Sequence, residues 1–139
     1  MLSQTAQYAL RAVILIASRA PGTVVGVDEI ADALRLPRNY LSKTLHQLGR
    51  AGVLGSSRGP RGGFRLAVPP AQLQLLRVVE PFDSLGEAPR CLLGRVTCSD
   101  RHPCAAHNRW KRASNTVAAF FRDTTVADLL GGAKPTGAR

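Results

Sequence analysis

Residues 4–18 set apolar side chains at Ala6, Leu10, Val13, Ile14 and Ala17, steps of three and four that predict a helix with one buried stripe. Ser3 stands where an N-cap is needed, and Pro21-Gly22 ends the element. A second helix is predicted over 27–34. Gly26 is its permissive cap, Asp28 and Glu29 suit the positive end of the helix dipole, and Ile30 and Leu34 turn inward. Leu36 leads into a turn, and Pro37 fits the first position of a third helix, where its missing N–H would be unpaired anyway. That helix reaches Arg50 with Leu41, Leu45 and Leu48 on its inner side, and Ala51-Gly52 closes it. Two short helices joined by a tight turn, the second basic on its outer face, form a helix-turn-helix pattern.

Two strand-like runs, 53–57 and 64–68, flank the tip Arg58-Gly59-Pro60-Arg61-Gly62-Gly63 and predict a β-hairpin. A hairpin directly behind a helix-turn-helix is a wing. Pro69-Pro70 breaks the chain, a short helix is expected over 73–81, and residues 83–103 show no clear period. After Cys104 a longer helix begins, in which Trp110, Ala113, Val117 and Phe120 or Phe121 recur at three- and four-residue steps. Thr124 or Thr125 is placed to cap a last turn holding Val126, Leu129 and Leu130, and the tail from Gly131 should fray. The predicted fold class is mainly α with a small β-wing: a winged helix-turn-helix followed by a long C-terminal helix.

Composition makes a packed core affordable, since 45% of the 139 residues are hydrophobic. Charge narrows the class of partner. Nineteen Lys and Arg face nine Asp and Glu, a formal net charge of +10, which favours a polyanion. The surplus is concentrated: between Ala33 and Val79 there is no acid, while Arg35, Arg38, Lys43, Arg50, Arg58, Arg61, Arg65 and Arg77 all fall there. The apolar run 12–17 is far short of the roughly 20 residues a membrane span needs. No cationic segment and cleavage site frame it as a signal peptide, so a cytosolic protein is expected. Three cysteines, an odd number, argue against a secreted disulfide framework.

On the third helix, Arg38, Asn39, Ser42, Lys43, His46 and Arg50 fall on the side away from the leucines. A helix of this width fits the DNA major groove, where polar side chains near its N-terminus meet base edges. Asn39, Ser42 and Lys43 are the candidates for base contact, with Arg38 beside them and Arg50 placed for phosphate. At the wing, Arg58 or Arg61 can enter a narrow minor groove, whose negative potential is enhanced. The chemistry-bearing cluster lies elsewhere. Cys91, Cys98 and Cys104 share one Gly- and Pro-punctuated loop with His107 just beyond, as C-x6-C-x5-C-x2-H. Thiolates and an imidazole in an irregular loop suit zinc or an iron–sulfur cluster. Arg90, Arg95 and Arg101 supply positive charge that favours thiolates. His107 falls on the first turn of the long helix; His102, beside Pro103, is a weaker candidate.

Taken in order, these features resemble the IscR/NsrR family of bacterial winged-helix regulators. The resemblance covers about residues 1–130 and rests on Tyr8, Leu10 and Arg11, then Tyr40-Leu41, the wing Arg58-Gly59-Pro60-x-Gly62-Gly63-Phe64, and the three cysteines followed by His107 and Trp110. It implies a homodimer whose long C-terminal helices cross, a palindromic operator in double-stranded DNA, and a repressor whose operator affinity is set by an iron–sulfur cluster sensing redox state, nitric oxide or iron–sulfur status. By position, Cys91, Cys98, Cys104 and His107 match the cluster ligands, Arg58 the wing arginine, and Asn39, Ser42 and Lys43 base-reading positions. Some relatives take the fourth ligand from an acid on the partner's first helix; here that position is Gln7, a poor iron ligand, which makes His107 the default and solvent or a small molecule the alternative. The first cysteine gap holds one residue more than in the best-known members. The implied organisation is a DNA-binding domain over 1–82, a cluster loop over 83–104, a dimerisation helix over 105–130 and a tail over 131–139.

Zinc, or a thiol-redox switch, is the alternative to the cluster, because three thiolates and one imidazole bind zinc as naturally as iron. No phosphate loop, nucleophile elbow or paired carboxylates point to an enzyme. The cations gather on a recognition helix and a wing rather than on an amphipathic membrane-surface helix.

Overall fold

The computed structural model describes residues 2–85, 90–96 and 98–131. Helix α1 (Gln4–Ala17) begins at Ser3, whose hydroxyl accepts from the N–H of Ala6 at 3.1 Å, as an N-cap should. Its buried residues are Ala6, Ala9, Ala12, Val13 and Ile16. The centre of the stripe is therefore displaced from the predicted one: Leu10 and Ala17 pack at its margin and Ile14 is half-buried. The reason lies in what surrounds it. The helices Arg38–Arg50, Leu75–Val79 and Val126–Gly131 and the strand Gly63–Leu66 all touch α1, and alanines let several elements close on one helix.

Helix α2 (Val27–Leu34) and helix α3 (Arg38–Arg50) make the helix-turn-helix, with Ile30 and Ala31 buried from α2 and Leu41, Thr44, Leu45 and Leu48 from α3. Pro37 is the N-cap rather than the first helical residue. Its ψ of 129° is extended, and its carbonyl accepts the first helical bond, from Leu41 N–H at 3.0 Å. Thr44 is the buried polar residue of the set, and it donates to the Tyr40 carbonyl one turn earlier. Strands β1 (Leu54–Ser57) and β2 (Gly63–Leu66) pair antiparallel, Leu54 opposite Leu66 and Ser57 opposite Gly63. Both are slightly shorter than predicted, although the N–H of Ala67 still reaches the Val53 carbonyl at 3.0 Å.

The wing is pinned to the helix-turn-helix by backbone. Val25, just before α2, exchanges hydrogen bonds with Phe64 at 2.8 and 2.9 Å. This contact explains the glycine pair. A Cβ on Gly63 would lie 2.2 Å from the Val25 carbonyl oxygen, and one on Gly62 would lie 2.4 Å from that of Ser57. The tip thus folds tightly and its root presses against the loop that starts α2.

Beyond the wing, the helix predicted over 73–81 is cut down to α4 (Leu75–Val79), preceded by a single 3-10 turn at Pro70–Gln72. Tertiary pairing overrides local helical tendency here: Gln74 bridges to Thr125, the N–H of Leu75 reaches Thr124 and that of Val126 reaches Leu73. The long helix α5 runs from His107 to Asp123 and α6 from Val126 to Gly131. Thr125 and Asp128 cap α6 reciprocally, each side chain accepting from the other's N–H. Helix α6 folds back on α1, while α5 rests on α4 and buries Phe121. Gly131 is thus helical, and the tail beyond it lies outside the described residues. Replacing Gly63 with alanine should lower the unfolding free energy by about 1–3 kcal/mol, because backbone must give way. A urea midpoint equal to wild type would show that wing and helix-turn-helix are not joined in solution.

Candidate metal centre and DNA-reading surface

Helix α3 exposes Arg38, Asn39, Lys43 and Arg50 on one side, and the wing tip exposes Arg58 and Arg61. Ser42 is half-buried, because His46 leans over it: His46 Nδ1 donates to the Ser42 carbonyl at 2.7 Å, and its ring meets Phe64 of β2 edge-on at 5.4 Å. His46 thereby links the recognition helix to the wing root. Arg38 forms an ion pair with Asp28 on α2. Both partners are exposed, so the pair is weak and exchangeable for a phosphate. Arg65 points along the wing and donates to the Ser57 hydroxyl at 3.1 Å, a structural role. Tyr40 braces the start of α3 against α1, hydrogen bonding to the Thr5 hydroxyl and meeting the Tyr8 ring at 90° and 5.7 Å.

The three cysteines converge. Their Sγ atoms lie within 4.8 Å of one another, with Cys91 and Cys104 at 3.6 Å. His107, the first residue of α5, places Nδ1 3.2 Å from Cys98 Sγ. Its other nitrogen, Nε2, lies 2.8 Å from Asp100 Oδ1, and Lys111 Nζ holds both oxygens of that carboxylate at 3.0 and 2.8 Å. The carboxylate accepts from Nε2–H and orients the ring so that Nδ1 faces the thiols. Trp110 Nε1 donates to the Arg90 carbonyl at 2.8 Å and clamps the start of the loop to α5. Together these residues line a cleft of about 280 Å³.

The electrostatics sort the thiols. The N–H of Arg95 turned toward Cys91 favours its thiolate and, against the opposing pull of desolvation, brings its pKa down to about 7. At Cys98 the N–H of Cys104 also favours the thiolate, but desolvation and the neighbouring Cys104 and Cys91 sulfurs outweigh it and push the thiol up. The expectation that Arg90, Arg95 and Arg101 act through their positive charge is corrected: the help at Cys91 is a backbone N–H, and all three side chains are exposed. The Lys111 ammonium, with the His107 ring second, holds Asp100 below the usual carboxylate range.

His102 stays exposed and outside the cleft. Asp100 is the residue that sequence reasoning passed over. It is the single acid between 88 and 122, amid Arg90, Arg95, Arg101, Arg109, Lys111, Arg112 and Arg122, and that isolation was the available signal. Three thiols and an imidazole are compatible with either group raised by the sequence. Two ligands 2.3 Å from one tetrahedral ion stand about 3.8 Å apart, close to the Cys91–Cys104 separation of 3.6 Å.

This is the architecture of winged-helix transcriptional regulators. The Rrf2 family, described as "Iron-dependent Transcriptional regulator", matches residues 2–132, and the chain belongs to it. A protein of Aquifex aeolicus provisionally named an HTH-type transcriptional regulator is 36% identical over 132 residues, covering 94% of this chain and 91% of its own. The HTH-type transcriptional regulator IscR of Vibrio atlanticus is 27% identical, over 93% of this chain and 74% of its own. Among solved structures, the cysteine regulator CymR of B. subtilis superposes with a TM-score of 0.75 at 24% identity, covering 96% of this chain and 98% of its own. IscR of T. potens gives 0.76 at 20%, covering 100% and 92%.

Two outcomes follow from the geometry. Asp100→Asn should weaken zinc binding about 10–100-fold in competition with a chromogenic chelator; an unchanged affinity would deny the carboxylate its orienting role. In the metal-free protein, alkylation of Cys91 should rise with pH about a midpoint near 7 while Cys98 lags at neutral pH. Equal rates, read by mass spectrometry, would contradict that ordering.

Proposed function

We propose that this protein is a dimeric, cytosolic transcriptional repressor whose grip on DNA is set by an iron–sulfur cluster held by Cys91, Cys98, Cys104 and His107. The convergence of three thiols and an oriented imidazole carries this reading, supported by membership of a family described as iron-dependent and by relatives named IscR. When bound, such a cluster supplies a centre that gains or loses electrons and reacts with nitric oxide or oxygen.

The chain's own residues supply the rest. Cys91, Cys98 and Cys104 close a loop with little regular structure, and His107 ties that loop to the first turn of α5. Helix α5 rests on α4, α4 on α1, and α1 on the recognition helix α3, so a change of order in the loop has a packed route to the DNA-reading face. At that face Asn39, Ser42 and Lys43 are assigned to base edges, and Arg38, Arg50, Arg58 and Arg61 to phosphate and minor groove. A second copy is the proposed partner of α5, which buries only Phe121 fully and leaves Phe120 half exposed. A dimer would present two recognition helices to half-sites one turn of DNA apart, about 34 Å.

Zinc is the second reading, favoured by the thiol spacing already described. Purification without oxygen separates the two. The cluster reading predicts a coloured protein containing iron and acid-labile sulfide, lost in Cys98→Ala while the dimer stays folded. Colourless protein with stoichiometric zinc would overturn it.

A further inference from the structure

The turn of the helix-turn-helix places a residue other than glycine in the left-handed region. Arg35, which closes α2, has φ 56° and ψ 48°, the one positive-φ residue other than glycine among the described residues. Its N–H reaches the Asp32 carbonyl at 3.3 Å and that of Leu36 reaches Ala31 at 3.0 Å. This is the helix-ending motif that selects glycine at its left-handed position, because a Cβ there crowds the next carbonyl. Leu36 supplies the apolar contact that accompanies the motif by packing on the core.

The Arg35 side chain contributes no such contact. It is exposed, and among the described residues its guanidinium has no hydrogen bond or ion pair. Other arginines nearby are engaged: Arg11 donates to the Leu34 carbonyl, Arg19 pairs with Glu29, and Arg38 pairs with Asp28. Arg35 also opens the acid-free stretch, three residues ahead of α3. A recognition helix enters the groove with its N-terminal residues on the bases, which brings the turn before it alongside the phosphate ridge.

We propose that Arg35 is a DNA-backbone contact, a free guanidinium that meets phosphate at the edge of the groove α3 enters, and that the left-handed turn is kept strained to present it. The inference rests on the DNA-binding reading above and adds a residue to it. A left-handed residue whose side chain makes no hydrogen bond or ion pair within the fold is the pattern expected of a ligand-contacting position.

The test uses the full chain, a random-sequence duplex and a salt titration followed by fluorescence anisotropy. Arg35→Gly should raise the melting temperature and yet weaken DNA binding severalfold. The slope of log K against log salt should flatten by about 0.9 for each Arg35 engaged. Arg35→Gln, which keeps the strain and drops the charge, should flatten the slope with no gain in melting temperature. Arg35→Lys should keep both at wild-type values. Wild-type slopes in the Gly and Gln variants overturn the contact, and a flattened slope in Arg35→Gly without added stability overturns the claim about strain. Wild-type protein with no salt dependence would overturn the DNA-binding reading itself, a result distinguishable from either.

Discussion

Ala6, Ala9 and Ala12 on α1 are wholly buried, and Val13 and Ile16 complete the same face. Because an alanine side chain ends at Cβ, α3, α4 and α6 all press against α1, and the recognition helix, the support of α5 and the C-terminal turn share one wall. Larger side chains at those positions would separate the elements, since packed interiors tolerate added volume poorly. The DNA-reading module and the C-terminal helices are thereby joined, and events in one are mechanically close to the other.

The candidate metal centre stands at the far end of that connection. It is anchored to α5 at three places: His107 at its first position, Lys111 holding Asp100, and Trp110 clamping Arg90. The three thiols come from the segment ahead of α5, where the described residues form no helix or strand. The wing is treated differently. It is fixed by backbone to Val25 and by His46 to α3, so its arginines are carried as one body with the recognition helix.

Much of this was legible in the sequence because the signals were local. The helix-turn-helix, the hairpin and the positions of the four candidate ligands all follow from spacing and turn chemistry. What failed to show was tertiary. The buried line of α1 centres on alanines chosen by crowding, where a reading of hydrophobic strength favours Leu10 and Ile14. The short α4 reflects pairing of Gln74 with Thr125, far along the chain. Asp100 gains its place only when the loop folds back on His107, and Arg35 looks like an ordinary surface arginine until its φ is known.

The proposed control of the DNA-reading face by a centre held on Cys91, Cys98, Cys104 and His107 is open to experiment. Its most direct test compares cluster-loaded and metal-free protein on one selected promoter fragment at one salt concentration, with Cys98→Ala as control. The two affinities should differ about 5–150-fold, the usual span of coupling between two sites, with the variant fixed at the metal-free value. Equal affinity of the loaded and metal-free forms would contradict it.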